Sequence, residues 1–232
     1  MNIVKKTIFP DDIFEDLEKK DLIIAVLFFL ILFTTTFVLL YIVKVSPLFS
    51  LMKEETNKRC HLLYGLIMDL PGLLGVLLIL KYRKQHISTI GIRKKGIKSS
   101  IFIGILLLLI VSINFIKNNG AIDQLVYKTL FYIVFVGFYE EIIFRGFLWP
   151  RFVVGLGKWW GTIVSGILFG AMHIPIDIVF NNKTFYDTVV LGNTSSINLG
   201  GGVIVALMFI YIYTRNNNII LPSFVHGILD ML

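Results

Sequence analysis

Long apolar runs separated by short polar segments dominate this sequence. Seven runs stand out, at 22–45, 61–80, 100–116, 125–149, 160–180, 202–213 and 219–232. A helix needs about 20 mainly apolar residues to cross the hydrocarbon core of a bilayer. The first four runs approach or exceed this length, whereas the last three are shorter or interrupted. The pattern predicts an all-α, polytopic membrane helical bundle with about seven to eight transmembrane helices.

The composition indicates that lipid surrounds most of the chain. Of the 232 residues, 56% are hydrophobic and only 16% are charged, and the mean hydropathy is +0.81. Soluble globular domains carry about 25% charged residues. We therefore expect a multi-pass integral membrane protein in which residues 22–232 form a single transmembrane helical domain.

Residues 1–21 differ from the rest of the chain because they are rich in both acidic and basic side chains. We expect them to form an N-terminal cytoplasmic or interfacial segment. One interpretation is a solvated tail. The alternative is a short helix on the membrane surface, because Ile13, Phe14 and Leu17 follow Pro10 at helical spacing.

The net charge of +7 is concentrated in one connection between apolar runs. Seven basic residues and no acidic ones lie within residues 81–98: Lys81, Arg83, Lys84, Arg93, Lys94, Lys95 and Lys98. Loops with an excess of Lys and Arg stay on the cytoplasmic side of a membrane. The charge therefore predicts a topology with a cytoplasmic N-terminus, and no nucleic-acid partner is expected.

Three charged residues interrupt the fourth apolar run. Glu140, Glu141 and Arg145 lie within two helical turns, and each charge near the bilayer centre costs about 2.5–3.5 kcal/mol on insertion scales. Glu141 and Arg145 have the i,i+4 spacing that favours an ion pair. Glu140 lies about 100° around the helix from Glu141, so it can face elsewhere. We interpret this cost as a sign of catalysis.

Two histidines lie at a similar depth on other apolar runs. His173 and His226 are about 12 to 20 Å from the ends of their segments at a rise of about 1.5 Å per residue, and Glu140 is about 14 Å from Trp149. All three therefore reach the middle third of the bilayer. Phe169 shares a helix face with His173, and Asp230 shares one with His226, where it could accept a hydrogen bond from the imidazole. These positions predict an active site within the membrane.

Aromatic residues bracket the turn that follows the fourth run. Trp149, Trp159 and Trp160 flank the sequence VGLGK. Tryptophan is enriched where membrane and water meet. We therefore expect all three to be anchors at one headgroup level.

The three spaced motifs together resemble a known family. Glu-Glu-x-x-x-Arg at 140–145, Phe-x-x-x-His at 169–173 and His-x-x-x-Asp at 226–230 are similar to the motifs of the CAAX prenyl endopeptidase and bacteriocin-processing family, also called the abortive-infection family. The resemblance covers roughly residues 100–232. The last motif position, Asp230, is often asparagine in the prenyl-protein proteases, and an aspartate donates a hydrogen bond only when protonated.

The resemblance implies an intramembrane endopeptidase of the type II CAAX prenyl protease class. Such an enzyme acts on a protein or peptide with a farnesylated or geranylgeranylated cysteine, in contact with membrane lipid, and releases the C-terminal tripeptide. Glu140 would activate a water with help from His173. His226 with Asp230 would stabilise the oxyanion.

The chemistry of three further residues suggests supporting roles, and we expect no cofactor, a preference to which the resemblance adds. Glu141 and Arg145 would brace the helix and limit the net charge of the site. Phe169 is expected to be a packing residue.

Two alternatives from other classes remain open. Glu140, His173 and His226 also form a His₂Glu set that suits zinc, with Glu141 as the base of a metalloprotease. Against this, no His-Glu-x-x-His helix is present, and a glutamate paired with Arg145 is poorly free to act as a base. The second alternative is a non-catalytic membrane protein for bacteriocin immunity or scaffolding, because fold does not determine function.

Overall fold

The computed structural model describes residues 9–53, 57–191 and 199–232, and the regular elements there are all helical. The α-helices are α1 Asp21–Val45, α2 Pro47–Lys53, α3 Lys58–Arg83, α4 Ile97–Lys117, α5 Ile122–Lys128, α6 Tyr139–Glu141, α7 Trp149–Leu156, α8 Lys158–Ala171, α9 Ile174–Val179, α10 Leu199–Asn216 and α11 Ile220–Met231. Short 3₁₀ turns cover Asp11–Ile13 and Ile87–Ile90, and π-helical segments cover Thr129–Phe138, Ile142–Leu148 and Asp187–Leu191. The all-α prediction is confirmed for this part of the chain.

Residues 122–156 form one continuous helical run, here called the central stretch. Two π-helical segments alternate with α5, α6 and α7 along it. The junction residues Lys128, Phe138, Glu141 and Leu148 all keep right-handed helical backbone angles, so the chain does not turn at any of them. In a π-helix the hydrogen bonds reach five residues back, and such segments occur frequently at functional sites. The first predicted motif lies where the two π-helical segments meet α6.

Five helices in the described part of the chain are long and apolar enough to cross a membrane. They are Asp21–Val45, Lys58–Arg83, Ile97–Lys117, Lys158–Val179 and Leu199–Asn216. The predicted count of seven to eight is not confirmed. Two expected spans are missing from this set. The run 125–149 is divided among α-helical and π-helical segments, and α11 at the end of the chain has only 12 residues.

Glycine and proline set the helix boundaries around the second motif. α7 ends at Leu156 and is followed by Gly157, whose φ of 86° is a backbone conformation that L side chains rarely adopt. α8 follows directly and ends at Ala171. Pro175 occupies the first turn of α9, where its missing N–H is not needed for the helix. His173 therefore lies at the break between α8 and α9, on backbone that joins two short helices.

Glycines allow the helices of the C-terminal half to approach closely. A Cβ atom at Gly227 of α11 would lie 2.5 Å from the backbone oxygen of Tyr132 on the central stretch. A Cβ atom at Gly202 of α10 would lie 2.6 Å from the backbone oxygen of Gly166 on α8. Small residues of this kind are typical of helix interfaces in membranes. They bring α8, α10 and α11 against one another and the central stretch, and so bring the three motifs together.

The described part of the N-terminal segment packs against the bundle. Phe9 and Ile13 are 3% and 1% exposed, and both belong to an apolar cluster that includes Trp149 and Tyr213. Among residues 9–20, the apolar side chains Phe9, Ile13 and Leu17 therefore contact protein rather than water, whereas the charged side chains are exposed. Residues 1–8 lie outside the described residues.

The three tryptophans do not share one environment. Trp159 and Trp160 are 60% and 68% exposed, as expected of interfacial anchors, but Trp149 is completely buried. Its indole N–H donates a hydrogen bond of 2.9 Å to the hydroxyl of Thr162, so the ring can leave the interface without losing its polar contact. The prediction of three equivalent anchors is wrong for Trp149.

A polar network joins the start of α1 to the end of α3. The Asp21 side chain is fully buried and accepts hydrogen bonds from Arg83 Nε at 2.7 Å, from Gln85 Nε2 at 3.0 Å and from the backbone N–H of Glu18 at 2.8 Å. Arg151 of α7 donates to Gln85 Oε1 at 2.6 Å. The N-terminal segment is thus tied through polar contacts to the same end of the central stretch that its apolar side chains cover.

Candidate active site

Glu141 and Arg145 form a buried ion pair on the central stretch. Arg145 Nη1 lies 3.0 Å from Glu141 Oε1, and both side chains are at most 1% exposed. The guanidinium carbon lies 4.1 Å from the centre of the Phe169 ring and 5.0 Å from that of Phe209. Among the described residues, none of the three guanidinium nitrogens has an aligned hydrogen-bond acceptor. The positive charge is therefore balanced by one carboxylate and two aromatic faces.

The imidazole of His226 lies where the acidic residues converge. Its Nδ1 is 2.9 Å from Glu141 Oε1, and its Nε2 is 3.6 Å from both Glu140 Oε2 and Asp230 Oδ2. The residue is 6% exposed. A carboxylate only accepts hydrogen bonds, so Nδ1 carries the proton in this contact. Nε2 is the nitrogen that remains available toward Glu140 and Asp230.

This geometry adds to the sequence-based prediction in one respect and differs from it in another. Glu141 pairs with Arg145 while Glu140 faces elsewhere, as its position around the helix allows, but each glutamate also approaches one nitrogen of the His226 ring. The imidazole donates its hydrogen bond to Glu141 rather than to Asp230, whose nearest oxygen is 3.6 Å away, beyond hydrogen-bond range. Helical spacing within α11 could not show this, since Glu141 approaches the ring from another element.

Glu140 and His173 line one cavity beside this cluster. The cavity has a volume of about 140 Å³ and is otherwise mainly apolar; its lining residues are Thr36, Leu40, Tyr64, Met68, Tyr139, Glu140, Phe144, Met172, His173 and Ile176. The Glu140 side chain is 21% exposed, whereas that of Glu141 is fully buried. Of the two adjacent glutamates, Glu140 is thus the one that a molecule in the cavity can reach.

His173 is oriented by the backbone at the break between α8 and α9. Its Nδ1 lies 3.0 Å from the carbonyl oxygen of Phe169. A carbonyl oxygen accepts, so Nδ1 donates and Nε2 of a neutral ring holds the lone pair. The shared face of Phe169 and His173 predicted from their spacing is confirmed by edge-to-face ring packing at 5.2 Å.

Phe169 contacts the site on several sides. Its ring is fully buried, lies under the Arg145 guanidinium, and has its centre 6.2 Å from that of His226. It also packs edge to face on Phe144, which lines the cavity. Phe169 thus packs against residues of all three motifs and links the second motif physically to the other two.

Phe209 is a site residue that the sequence analysis did not find. It lies on α10, outside the three motifs, and its ring stacks on His226 with the ring centres 4.7 Å apart and the planes 20° from parallel. The sequence contains 20 phenylalanines, and nothing in the local pattern LMFIYIY separates this one from lipid-facing neighbours. Only the packing of α10 against the motif helices identifies it.

The described residues contain no cluster of three or more His, Cys, Asp or Glu side chains arranged to hold a metal ion. In the set considered for zinc, His226 presents Nδ1 to Glu141, and His173 presents Nδ1 to a backbone carbonyl. Each of these rings could therefore use only Nε2 as a ligand. The arrangement gives Glu140, His173 and His226 distinct hydrogen-bonding surroundings.

Comparison with known proteins relates this site to a family. No curated protein and no solved structure matches the chain. Residues 122–232, which hold all three motifs, match the family described as type II CAAX prenyl endopeptidase Rce1-like. Together with the five apolar helices, this match indicates an integral membrane protein of protease type. Residues 122–232 are therefore similar to the Rce1-like type II CAAX prenyl endopeptidase domain, in agreement with the resemblance that the motifs indicate.

Proposed function

We propose that this protein is an intramembrane endopeptidase that hydrolyses the peptide bond after a prenylated cysteine and releases the C-terminal tripeptide. One observation supports this most strongly: Glu140 and His173 line the same cavity, and His226 Nε2 lies 3.6 Å from Glu140 Oε2. A base, a second proton carrier and a hydrogen-bond donor are thus within reach of one small volume, as hydrolysis by an activated water requires.

Glu140 acts as the general base in this proposal. Its carboxylate takes a proton from a water molecule in the cavity, and the resulting hydroxide attacks the carbonyl carbon of the scissile bond. His173, held through Nδ1 by the Phe169 carbonyl, accepts a hydrogen bond from the same water through Nε2. Two acceptors then fix both the position and the orientation of the nucleophile.

His226 stabilises the negative charge that develops on the carbonyl oxygen. As an imidazolium it donates from both nitrogens: Nδ1 to Glu141, and Nε2 to the oxyanion. Preorganised donors of this kind account for about 10²- to 10³-fold in rate when removed singly. Asp230, 3.6 Å from Nε2, balances the imidazolium charge when no substrate is bound.

Breakdown of the tetrahedral intermediate completes the cycle. The carbon–nitrogen bond breaks, and the leaving amine takes the proton that Glu140 received from water. The products are a prenylated cysteine with a free carboxylate and a tripeptide with a free amine. Water is the only co-reactant, and Glu140 ends in its starting state.

Cleavage of a farnesylated CAAX peptide by the detergent-purified protein tests the chemistry. Glu140→Gln should lower kcat/KM about 10²- to 10⁴-fold, because the amide cannot accept the proton. Glu15→Gln, at an exposed position of the N-terminal segment, is the matched control and should cleave normally. Full activity of the Glu140→Gln protein would overturn the assignment.

The same cleavage assay with chelator-treated protein distinguishes the glutamate mechanism from the zinc alternative. Wild-type activity that survives chelation, in a sample free of metal by elemental analysis, supports water activation by Glu140. Activity that is lost on chelation and restored by zinc would replace this mechanism with a metalloprotease. Absence of cleavage in a folded wild-type sample would remove the prenyl-peptide substrate and favour the non-catalytic immunity or scaffolding role.

An apolar groove between α1 and α3 offers a place for the isoprenoid chain of the substrate. Its volume is about 410 Å³, and it is lined by Ile24, Leu27, Phe28, Ile31, Leu32, Thr35, Pro71, Gly75, Leu78 and Ile79. Sites that bind small molecules typically measure about 300–1,000 Å³ and are mainly apolar. The groove is therefore of suitable size and polarity for a hydrocarbon chain.

The groove and the cavity that contains Glu140 are lined by nearby residues of the same two helices. On α1, Thr35 lines the groove and the next residue, Thr36, lines the cavity. On α3, Pro71 lines the groove and Met68, one turn earlier, lines the cavity. In this proposal a chain lying in the groove holds the attached cysteine near the cavity.

Two tryptophan substitutions on α1 test the groove. Ile31 lines it and is 66% exposed, whereas Ile23 does not line it and is 64% exposed. Ile31→Trp should raise KM for a farnesylated peptide by about tenfold, the equivalent of about 1.4 kcal/mol of lost binding. Ile23→Trp should leave KM unchanged. Equal KM values for the two variants would show that the chain binds elsewhere.

A further inference from the structure

We propose that Phe209 is a positioning residue that sets the plane of the His226 imidazole and thereby aims Nε2 at the substrate oxyanion. The inference rests on the proposed function, because it assigns a role within that site. Phe209 belongs to none of the three motifs and lies on α10, which contributes no other residue to the chemistry described above. It is 2% exposed.

The hydrogen bond from Nδ1 to Glu141 does not fix the imidazole by itself. A hydrogen bond at one ring nitrogen holds that atom near Glu141 Oε1, but small coupled rotations about the Cα–Cβ and Cβ–Cγ bonds can still tilt the plane of the ring. Such a tilt changes the direction in which the Nε2–H bond points. A second contact over the ring face is needed to hold the plane.

Phe209 supplies this face contact. The two ring centres are 4.7 Å apart and the planes are 20° from parallel, which is a stacked arrangement at the short end of the range for aromatic pairs. Phe169 approaches the same imidazole at 6.2 Å and 69°, so it contributes an edge contact rather than a face. Of the two phenylalanines, Phe209 is therefore the one that opposes the tilt.

The same phenyl ring also lies near the charge that holds Glu141. The Arg145 guanidinium carbon is 5.0 Å from the Phe209 ring centre, within the range of a cation–π contact. Arg145 and His226 both bind Glu141 Oε1, at 3.0 and 2.9 Å. Phe209 thus contacts both groups that share this carboxylate oxygen, and it favours the arrangement in which all three meet.

Three variants separate positioning from bulk packing. Phe209→Leu removes the aromatic face, and Phe209→Tyr retains it. Phe152→Leu removes a phenyl ring that is equally buried, at 2% exposure, on α7. If Phe209→Leu fails to fold, Phe209→Met, which is closer in volume, takes its place. Each variant is compared with wild type in detergent after its unfolding transition has been measured.

The first readout is independent of proteolysis. In protein labelled with ¹⁵N at histidine, four imidazoles contribute signals, and the His226 signals are assigned by their loss in His226→Gln. Phe209→Leu should shift the His226 ring ¹⁵N resonances and broaden them, because the ring samples several orientations. Phe209→Tyr and Phe152→Leu should leave them at the wild-type positions.

The second readout is the split between kcat and KM on a farnesylated peptide. Phe209→Leu should lower kcat about tenfold while KM changes less than about twofold, because oxyanion stabilisation is needed only in the transition state. Phe209→Tyr should restore kcat. Unchanged His226 resonances in Phe209→Leu, or equal changes in Phe152→Leu, would overturn the inference. Shifted His226 resonances in Phe209→Leu, together with a wild type that does not cleave the peptide, would leave the control of the ring plane by Phe209 intact and refute the proposed function instead.

Discussion

Removal of both partners of the Glu141–Arg145 pair should destabilise the protein no more than removal of either partner alone. In Glu141→Gln the Arg145 charge stays in a fully buried position without a counter-ion at 3.0 Å. In Arg145→Met the Glu141 carboxylate keeps only His226. Breaking a buried ion pair by removing one partner costs about 3–5 kcal/mol. The loss in free energy of unfolding should lie in this range for both single variants, because the pair is buried. Ion pairs on the surface contribute only about 0–1 kcal/mol.

The aromatic rings around Arg145 narrow the range of the expected stability loss. In Glu141→Gln, Arg145 keeps the Phe169 and Phe209 rings at 4.1 and 5.0 Å, and each such contact is worth about 0.5–2 kcal/mol. We therefore expect each single variant to lose about 3 kcal/mol, near the lower end of the range for a broken buried pair. The double variant has no uncompensated charge at this position, so its loss should also be about 3 kcal/mol instead of the additive value of about 6 kcal/mol.

The assay is a double-mutant cycle on the free energy of unfolding in bicelles, measured by steric trapping or by titration with denaturing detergent. A coupling energy of about 2 kcal/mol or more is expected, at the upper end of values for residues in contact. Losses that add within about 0.5 kcal/mol would refute the reasoning, because independent sites behave in that way. If each single variant loses less than about 1 kcal/mol of stability, the pair contributes no more than an ion pair exposed to solvent.

Two further predictions concern the contacts that hold the motif helices and the N-terminal segment. Gly227→Ala should destabilise the protein by about 1–3 kcal/mol in the same unfolding assay, because its Cβ would lie 2.5 Å from the backbone oxygen of Tyr132. Leu229→Ala, at a position 49% exposed on the same helix, should destabilise the protein less. A larger loss in Leu229→Ala than in Gly227→Ala would contradict the close approach of the two helices. Asp21→Asn should destabilise by about 1–3 kcal/mol, since an amide cannot accept all three hydrogen bonds that the buried carboxylate receives. Asp11→Asn, at an exposed position, is the control, and equal losses in the two aspartate variants would show that the Asp21 network carries no stability.

The apolar pattern was sufficient to predict the long outer helices. The runs 22–45 and 100–116 correspond to helices Asp21–Val45 and Ile97–Lys117, because a mainly apolar run of 17 or more residues leaves few other options in lipid. The run 160–180 contains a break at His173 that hydrophobicity does not reveal, although Pro175 in the first turn of α9 is a local sign of it. Hydrophobicity also gives no indication that π-helical segments divide the run 125–149.

Only those contacts of the candidate site that lie within one helix could be predicted from the spacing of residues in the sequence. The Glu141–Arg145 contact follows from the i,i+4 rule and is confirmed. The contact between Glu141 and His226 joins residues 85 positions apart, so it depends on the packing of two elements and cannot be derived from either alone. Phe209 has neither a charge nor a motif to mark it. Trp149 has the composition of an interfacial residue, but Thr162 provides its partner inside the protein.

The π-helical segment Thr129–Phe138 makes the motif sensitive to chain length as well as to side-chain identity. A π-turn accommodates an additional residue relative to an α-turn. Deletion of one residue there, such as Val134, whose side chain is 49% exposed, would rotate everything downstream by the angle of one helical residue, about 100° in an α-helix, where the π-turns stay wide. Glu140, Glu141 and Arg145 would then leave their partners together, although none of them had been replaced. Homologous chains aligned without gaps through this segment should keep the site, and loss of the His226 ¹⁵N signature in a Val134 deletion would measure the effect directly.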